Sequence, residues 1–212
     1  MPAEPGAPGV VLATRNAHKV TELSRILAGT GVPVALVGLD SYPAMPEVPE
    51  TEATFAGNAL LKARAVAGFT GLPAVADDSG ICVDALNGMP GIFSARWSGR
   101  HGDDAANLAL LLGQLSDVSE RGAQFVCAAV LVLPPGSAGS GGRREWTVTG
   151  VLPGALTREA RGSGGFGYDP IFVPEGSAVT TAELTPEEKD AISHRGRAFR
   201  ALAPVVARQL AG

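Results

Sequence analysis

The sequence is poor in several things, and each shortage argues against something. Only two cysteines occur, Cys82 and Cys127, both inside apolar runs. That favours two buried free thiols over the disulfide framework of a small secreted domain. No apolar run approaches the ~20 residues of a membrane-spanning helix. No basic stretch followed by a long apolar core opens the chain, so no signal peptide is expected. Basic residues do not outnumber acidic ones: 17 against 21, a net charge of -4 and a pI near 5.4. A broad nucleic-acid-binding surface needs the opposite balance. There is no zinc-type Cys/His spacing, no Ser-His-Asp order, no internal repeat, and no Gly-rich strand–helix junction of the dinucleotide type. These absences leave a soluble cytoplasmic protein as the expectation.

Lysine is the scarcest charge. Of the 17 basic residues only Lys19, Lys62 and Lys189 are lysines. Where a chain otherwise prefers arginine, a retained lysine suits a compact ammonium point charge, as phosphate oxygens often require.

What is present is a globular composition, 45% hydrophobic and 18% charged over 212 residues. That is enough chain for one domain with a full core. Residues 1–9 are Pro- and Gly-rich and read as a disordered tail, with one two-lobed domain expected over residues 10–212. The informative stretch runs from Leu72 to Gly99. Apolar residues 73–76 lead into Asp77-Asp78-Ser79-Gly80, and Ile81 to Val83 lead out. This predicts two carboxylates at the end of a buried strand, where they must be solvated, paired or bound to a cation. A plain Asp-Asp-Ser-Gly turn fits that stretch equally well.

Elsewhere the pattern predicts a strand over residues 10–13, then the polar loop Thr14-Arg15-Asn16-Ala17-His18-Lys19. A helix with Val20, Leu23, Ile26 and Leu27 on one face follows and ends near Gly29. A loop at a helix N-terminus is a natural anion site, and an ordinary capped helix start reads the same way. Residues 32–39 read as a strand and 40–49 as a Pro-rich loop. A Thr54-capped helix from Phe55 to about Gly68 places Asn58 and Lys62 on neighbouring positions. A helix over residues 103–115, strands over 123–133 and 145–151, and a flexible loop between those strands come next. Ser163 to Pro170 is a Gly-rich loop carrying Phe166 and Tyr168, a combination that suits a planar ligand. Thr185-Pro186-Glu187-Glu188 is a strong helix start. Ser193-His194-Arg195-Gly196 then breaks the pattern before a final helix.

Five ordered blocks resemble the inosine triphosphate pyrophosphatase family: LATRNAHK, ETEATFAGNALLKA, LPAVADDSG with GMPGIFSARWSG, GGFGYDPIF, and AELTPEEKDAISHRG. They span nearly the whole chain, and all three lysines fall inside them. The resemblance implies an α/β fold, an elongated mixed β-sheet flanked by helices, with two lobes and a central substrate cleft. It implies Mg²⁺-dependent hydrolysis of ITP, dITP or XTP to the monophosphate and pyrophosphate, in a homodimer. Carried over by motif, Thr14, Arg15, Asn16, Ala17, His18 and Lys19 would hold the triphosphate, with Lys62 adding charge. Glu50 and Asp78 would hold the metal; Asp78 would be the general base, with Asp77 and Lys19 in support and Ser79 touching substrate. Phe166, Gly167, Tyr168 and Asp169 would stack on and bound the purine. Lys189, His194 and Arg195 would read its 6-oxo side. Pro49 stands where an acid is often found. A Maf-like pyrophosphatase, a nucleotide sensor without catalysis and a purely structural protein remain as alternatives.

Overall fold

The computed structural model describes residues 9–32, 35–137 and 144–210. Six strands join in one mixed sheet in the order β2-β1-β3-β4-β5-β6, with helices around it. The strands are β1 (Gly9–Leu12), β2 (Ala35–Gly38), β3 (Ala74–Val83), β4 (Gly122–Val132), β5 (Glu145–Leu156) and β6 (Phe172–Pro174). The helices are α1 (Ala17–Ala28), α2 (Phe55–Thr70), α3 (Asp104–Gln114), α4 (Pro186–Ile192) and α5 (His194–Leu210). β1 runs parallel to both β2 and β3, pairing Val11 with Val37 and with Ala74. β5 and β6 are antiparallel, with Leu156 opposite Phe172.

The chain divides into two compact units. The first holds residues 1–78, 128–150 and 195–212. Its core packs the small face of α2 (Ala59, Ala63, Val66, Ala67) against Val11, Ala74, Ala76, Val130 and Val132. Alanine on that face lets the helix backbone lie close to the sheet. The second unit holds residues 79–127 and 151–194, with a core of Ile81, Leu111, Leu115, Phe125, Tyr168, Ile171 and Phe172.

The helix signals act as written in the sequence. Thr54 and Asn16 cap α2 and α1 by accepting from the amides of Gly57 and Lys19. Gly71 ends α2 at φ 68, a left-handed conformation that glycine adopts without strain. Thr185 and Glu188 form the full capping box of α4. Both cysteines are free thiols, but only Cys127 is buried as expected; Cys82 is half-buried. Among the described residues, no helix is long and apolar enough to cross a membrane.

Several expectations are corrected. β3 continues for ten residues through Asp77, Asp78, Ser79 and Gly80. The carboxylates therefore sit mid-strand, not at a strand end, and no turn forms. Polar residues break a strand only where they lack partners, and here cations supply them. β5 runs to Leu156, beyond the expected Val151. Pro153 and Gly154 look like breakers, but the Pro153 carbonyl accepts from Glu175 N, and a Cβ at Gly154 would strike the Val173 carbonyl oxygen. The glycine is what allows β6 to approach. The second strand is shorter than expected, Ala35–Gly38, with Leu39 opening a 3-10 turn; Pro33 and Val34 lie outside the described residues. Gly9 belongs to β1, and the rest of the expected tail lies outside the described residues, as does most of the expected flexible loop.

Candidate active site

Successive residues of a strand project to opposite faces, and the partners of the two mid-strand carboxylates divide accordingly. Asp77 meets Lys19 of α1 (Nζ to Oδ2, 2.9 Å) and Arg195 of α5 (Nε to Oδ2, 3.6 Å). Asp78 meets α2: its Oδ2 accepts from Asn58 Nδ2 at 3.0 Å, and its Oδ1 lies 3.9 Å from Lys62 Nζ. Lys62 also donates to Glu50 Oε1 at 2.9 Å, so one ammonium stands between two carboxylates. The resemblance implied that Glu50 and Asp78 share a metal; here Lys62 is the group that links them.

The two environments push the neighbouring acids apart. Burial by itself raises the Asp77 carboxyl, but Lys19, Arg195 and Lys62 outweigh it and hold the group well below the usual carboxylate range. Asp78 is pushed up to about 6, by burial first and by the Glu50 charge, against the opposing pull of Lys62. Burial works against the charge on Lys62, yet Asp78, Asp77 and Glu50 together raise it, so it stays an ammonium.

Asn58 was not among the predicted site residues. It is fully buried, and its Oδ1 accepts from Glu52 N while its Nδ2 holds Asp78. The available signal was its place one helical turn before Lys62. Glu22 was also missed; its Oε2 accepts from Arg195 Nη1 at 3.0 Å.

The loop before α1 spends the polar groups of Thr14 and Asn16 locally, while Arg15 reaches across the fold. Thr14 Oγ1 accepts from Asn16 N, Asn16 Oδ1 accepts from Lys19 N, and Arg15 donates to the Met45 carbonyl. The side chains of Ala17 and His18 lie outside the described set. Arg195 stands in the first turn of α5. It is 6% exposed, and its guanidinium is engaged by Glu22 and Asp77.

In the second unit, Lys189 and Asp169 form a buried ion pair, and Lys189 Nζ lies 5.1 Å from the centre of the Phe166 ring. Asp169 also accepts from Phe166 N and from Thr181 Oγ1 at 2.8 Å each. Gly167 N donates to Asp104 Oδ2 at 2.8 Å. Tyr168 does not stand in the loop as a stacking platform. Its ring packs into the core and its hydroxyl donates to the Ser94 carbonyl at 2.9 Å. Burial, then the Asp104 charge, raises that phenol, so it remains a donor. Phe166 is thus the half-buried aromatic of the pair. His194 is buried with its ring stacked on Phe125, centroids 4.8 Å apart. Ser79 is half-buried in β3.

The chain is similar to the dITP/XTP pyrophosphatase of Streptomyces coelicolor, 63% identical over 96% of this chain and 98% of that one. It is 60% identical to the dITP/XTP pyrophosphatase of Nocardia farcinica, over 93% and 94% of the two chains. Among solved structures, a HAM1 protein from Coxiella burnetii superposes with a TM-score of 0.83 at 39% identity, covering 94% of this chain and 98% of that one. A nucleoside-triphosphatase / dITP/XTP pyrophosphatase from Mycobacterium abscessus gives 0.73 at 57% identity, over 93% and 99%. The model of the Ham1 family matches residues 10–205, and with these relatives it establishes that the chain belongs to that family.

Proposed function

We propose that this chain hydrolyses noncanonical purine nucleoside triphosphates (dITP, XTP and ITP) to the nucleoside monophosphate and pyrophosphate. The observation that carries the reading is the opposed state of two neighbouring acids. Environments that push paired titratable groups apart mark the acid–base assignment. Asp77 is committed to its cations, whereas Asp78, at about 6, is mostly ionised at pH 7 and basic enough to take a proton. Asp78 then orients and deprotonates the water that attacks the α-phosphorus. Lys62 and Lys19 supply positive charge to the triphosphate and to the leaving pyrophosphate. The likeness to dITP/XTP pyrophosphatases supports the reaction class.

Glu50 and Asp78 fit a magnesium ion. They are hard oxygen donors, and the Glu50 charge is one of the things that raises Asp78, a repulsion that a cation relieves. Among the described residues no group of three or more His, Cys, Asp or Glu side chains stands ready for a metal. Two protein carboxylates are what Mg²⁺ commonly takes beside water and phosphate oxygens. When bound, the ion supplies charge neutralisation on those phosphate oxygens.

Base selection falls to Lys189 and Phe166. An ammonium has three donors, and one is committed to Asp169. Another can meet the 6-oxo acceptor of hypoxanthine or xanthine, where adenine presents a donor instead. Polar matches of that kind discriminate by ~10⁴ or more. The test is pyrophosphate release from ITP, XTP, dITP, GTP, ATP and dTTP, with Mg²⁺ and with EDTA. Metal-dependent release from the first three is expected. Release mainly from dTTP would move the chain to the Maf-like reading, and binding without release would make it a sensor. The proposal includes a cytoplasmic homodimer, and a monomer by light scattering at working concentration would remove the dimer.

A further inference from the structure

Asp104 lies outside every residue assigned above to substrate or metal, yet it reaches the loop that carries Phe166. It is the first residue of α3, directly after the capping Asp103. Its Oδ2 accepts from Gly167 N at 2.8 Å, a contact 63 residues away in sequence. The preceding amide, Phe166 N, is held at the same 2.8 Å by Asp169 Oδ2. The following residue is pinned by its side chain, the Tyr168 hydroxyl on the Ser94 carbonyl. Three consecutive residues therefore have three separate anchors. The glycines on either side of Phe166 take φ 71 and 62, left-handed values that glycine adopts freely. The position of the Phe166 ring under Lys189 thus depends on the anchors.

We propose that Asp104 is a positioning residue for base selection, which through the Gly167 amide holds the Phe166 ring and Lys189 in the relation that admits a 6-oxo purine. The inference rests on the pyrophosphatase reading above. Asp103 already caps the helix by accepting from Ala106 N, so Asp104 is not needed for that purpose. Its reach to Gly167 is a second use of a carboxylate at a helix start, where the dipole favours negative charge.

The test compares wild type, Asp104→Asn and Asp104→Ala, each as the full chain, in steady-state pyrophosphate release from dITP and dATP. Alanine removes the acceptor. It is expected to raise KM for dITP by roughly five- to tenfold with kcat nearly unchanged, and to lower the dITP/dATP preference by a similar factor. Asparagine keeps a carbonyl oxygen on the Gly167 amide and is expected to restore most of both. Amide hydrogen exchange at Gly167 in the nucleotide-free protein supplies a readout independent of turnover, faster in the alanine variant than in wild type or the asparagine variant. Unchanged preference and KM in a folded alanine variant overturn the proposal. So does a loss of kcat equal for both nucleotides, or unchanged exchange at Gly167. A wild type that releases no pyrophosphate from dITP overturns the pyrophosphatase reading itself, a different result from any of these.

Discussion

Asp77 and Asp78 differ in what their burial costs. Asp78 is buried with its pKa pushed up to about 6. A raised folded-state value means that the folded protein takes the proton more readily than the unfolded chain. The ionised form is therefore penalised above pH 6, and the penalty fades as pH falls toward 4. Two units correspond to roughly 3 kcal/mol. Asp78→Asn is expected to stabilise the metal-free protein at pH 8 by about 1–3 kcal/mol while slowing turnover, the usual opposition between a strained site and stability. Thermal melts in EDTA at pH 8 and pH 4 check this; the gain should be present at the first and nearly gone at the second.

Asp77 has the reverse sign. Its folded value is depressed, so its contribution is present above the unfolded value of ~3.9 and is lost as pH falls through the folded one. Asp77→Asn leaves Lys19 and Arg195 without their shared partner and should destabilise by roughly 3 kcal/mol at pH 7. Denaturant titrations at pH 7 and pH 3 should show the gap between variant and wild type beginning to narrow at the lower pH. At this scale the acidic pair and the three lysines stood out in the sequence, because their chemistry is carried by residue type. The partners of Arg195 were not legible. Its direction is set by Glu22, 173 residues away, and no local pattern reports that contact.

Among the elements, α1, α2 and α4 were legible in the sequence nearly to their ends, since caps at Asn16, Thr54 and Thr185 act locally, whereas α5 begins at His194, inside the expected break of Ser193 to Gly196. The strand β3 was misjudged as ending at its acids for the opposite reason. What keeps it extended comes from α1, α2 and α5. Gly80 makes the same point about spacing. A Cβ there would collide with the Gly91 carbonyl oxygen and Ser94 Oγ, the hydroxyl that accepts from Ile81 N. Gly80→Ala is expected to cost about 1–3 kcal/mol by overpacking, read as a lowered denaturation midpoint. The aromatic loop divided where the sequence could not divide it. Tyr168 has a hydroxyl that can satisfy a buried carbonyl, so it can enter the core with its polar end bonded.

For the whole molecule, the mixed α/β class was what the family resemblance implied, and the sheet and a solved relative covering 94% of the chain agree with it. The strand order did not follow, because β1 lies between β2 and β3 through long-range parallel pairing. That order sets β3 between β1 and β4, where β3 carries its two acids inside the sheet.

The central claim is that Asp78 is the base while Asp77 is held by its cations. The most direct test measures dITP binding and pyrophosphate release in parallel for wild type and Asp78→Asn. The account predicts dITP affinity within about tenfold of wild type and release slowed by ~10²–10⁴. Near-normal release from the Asp78→Asn protein would contradict it.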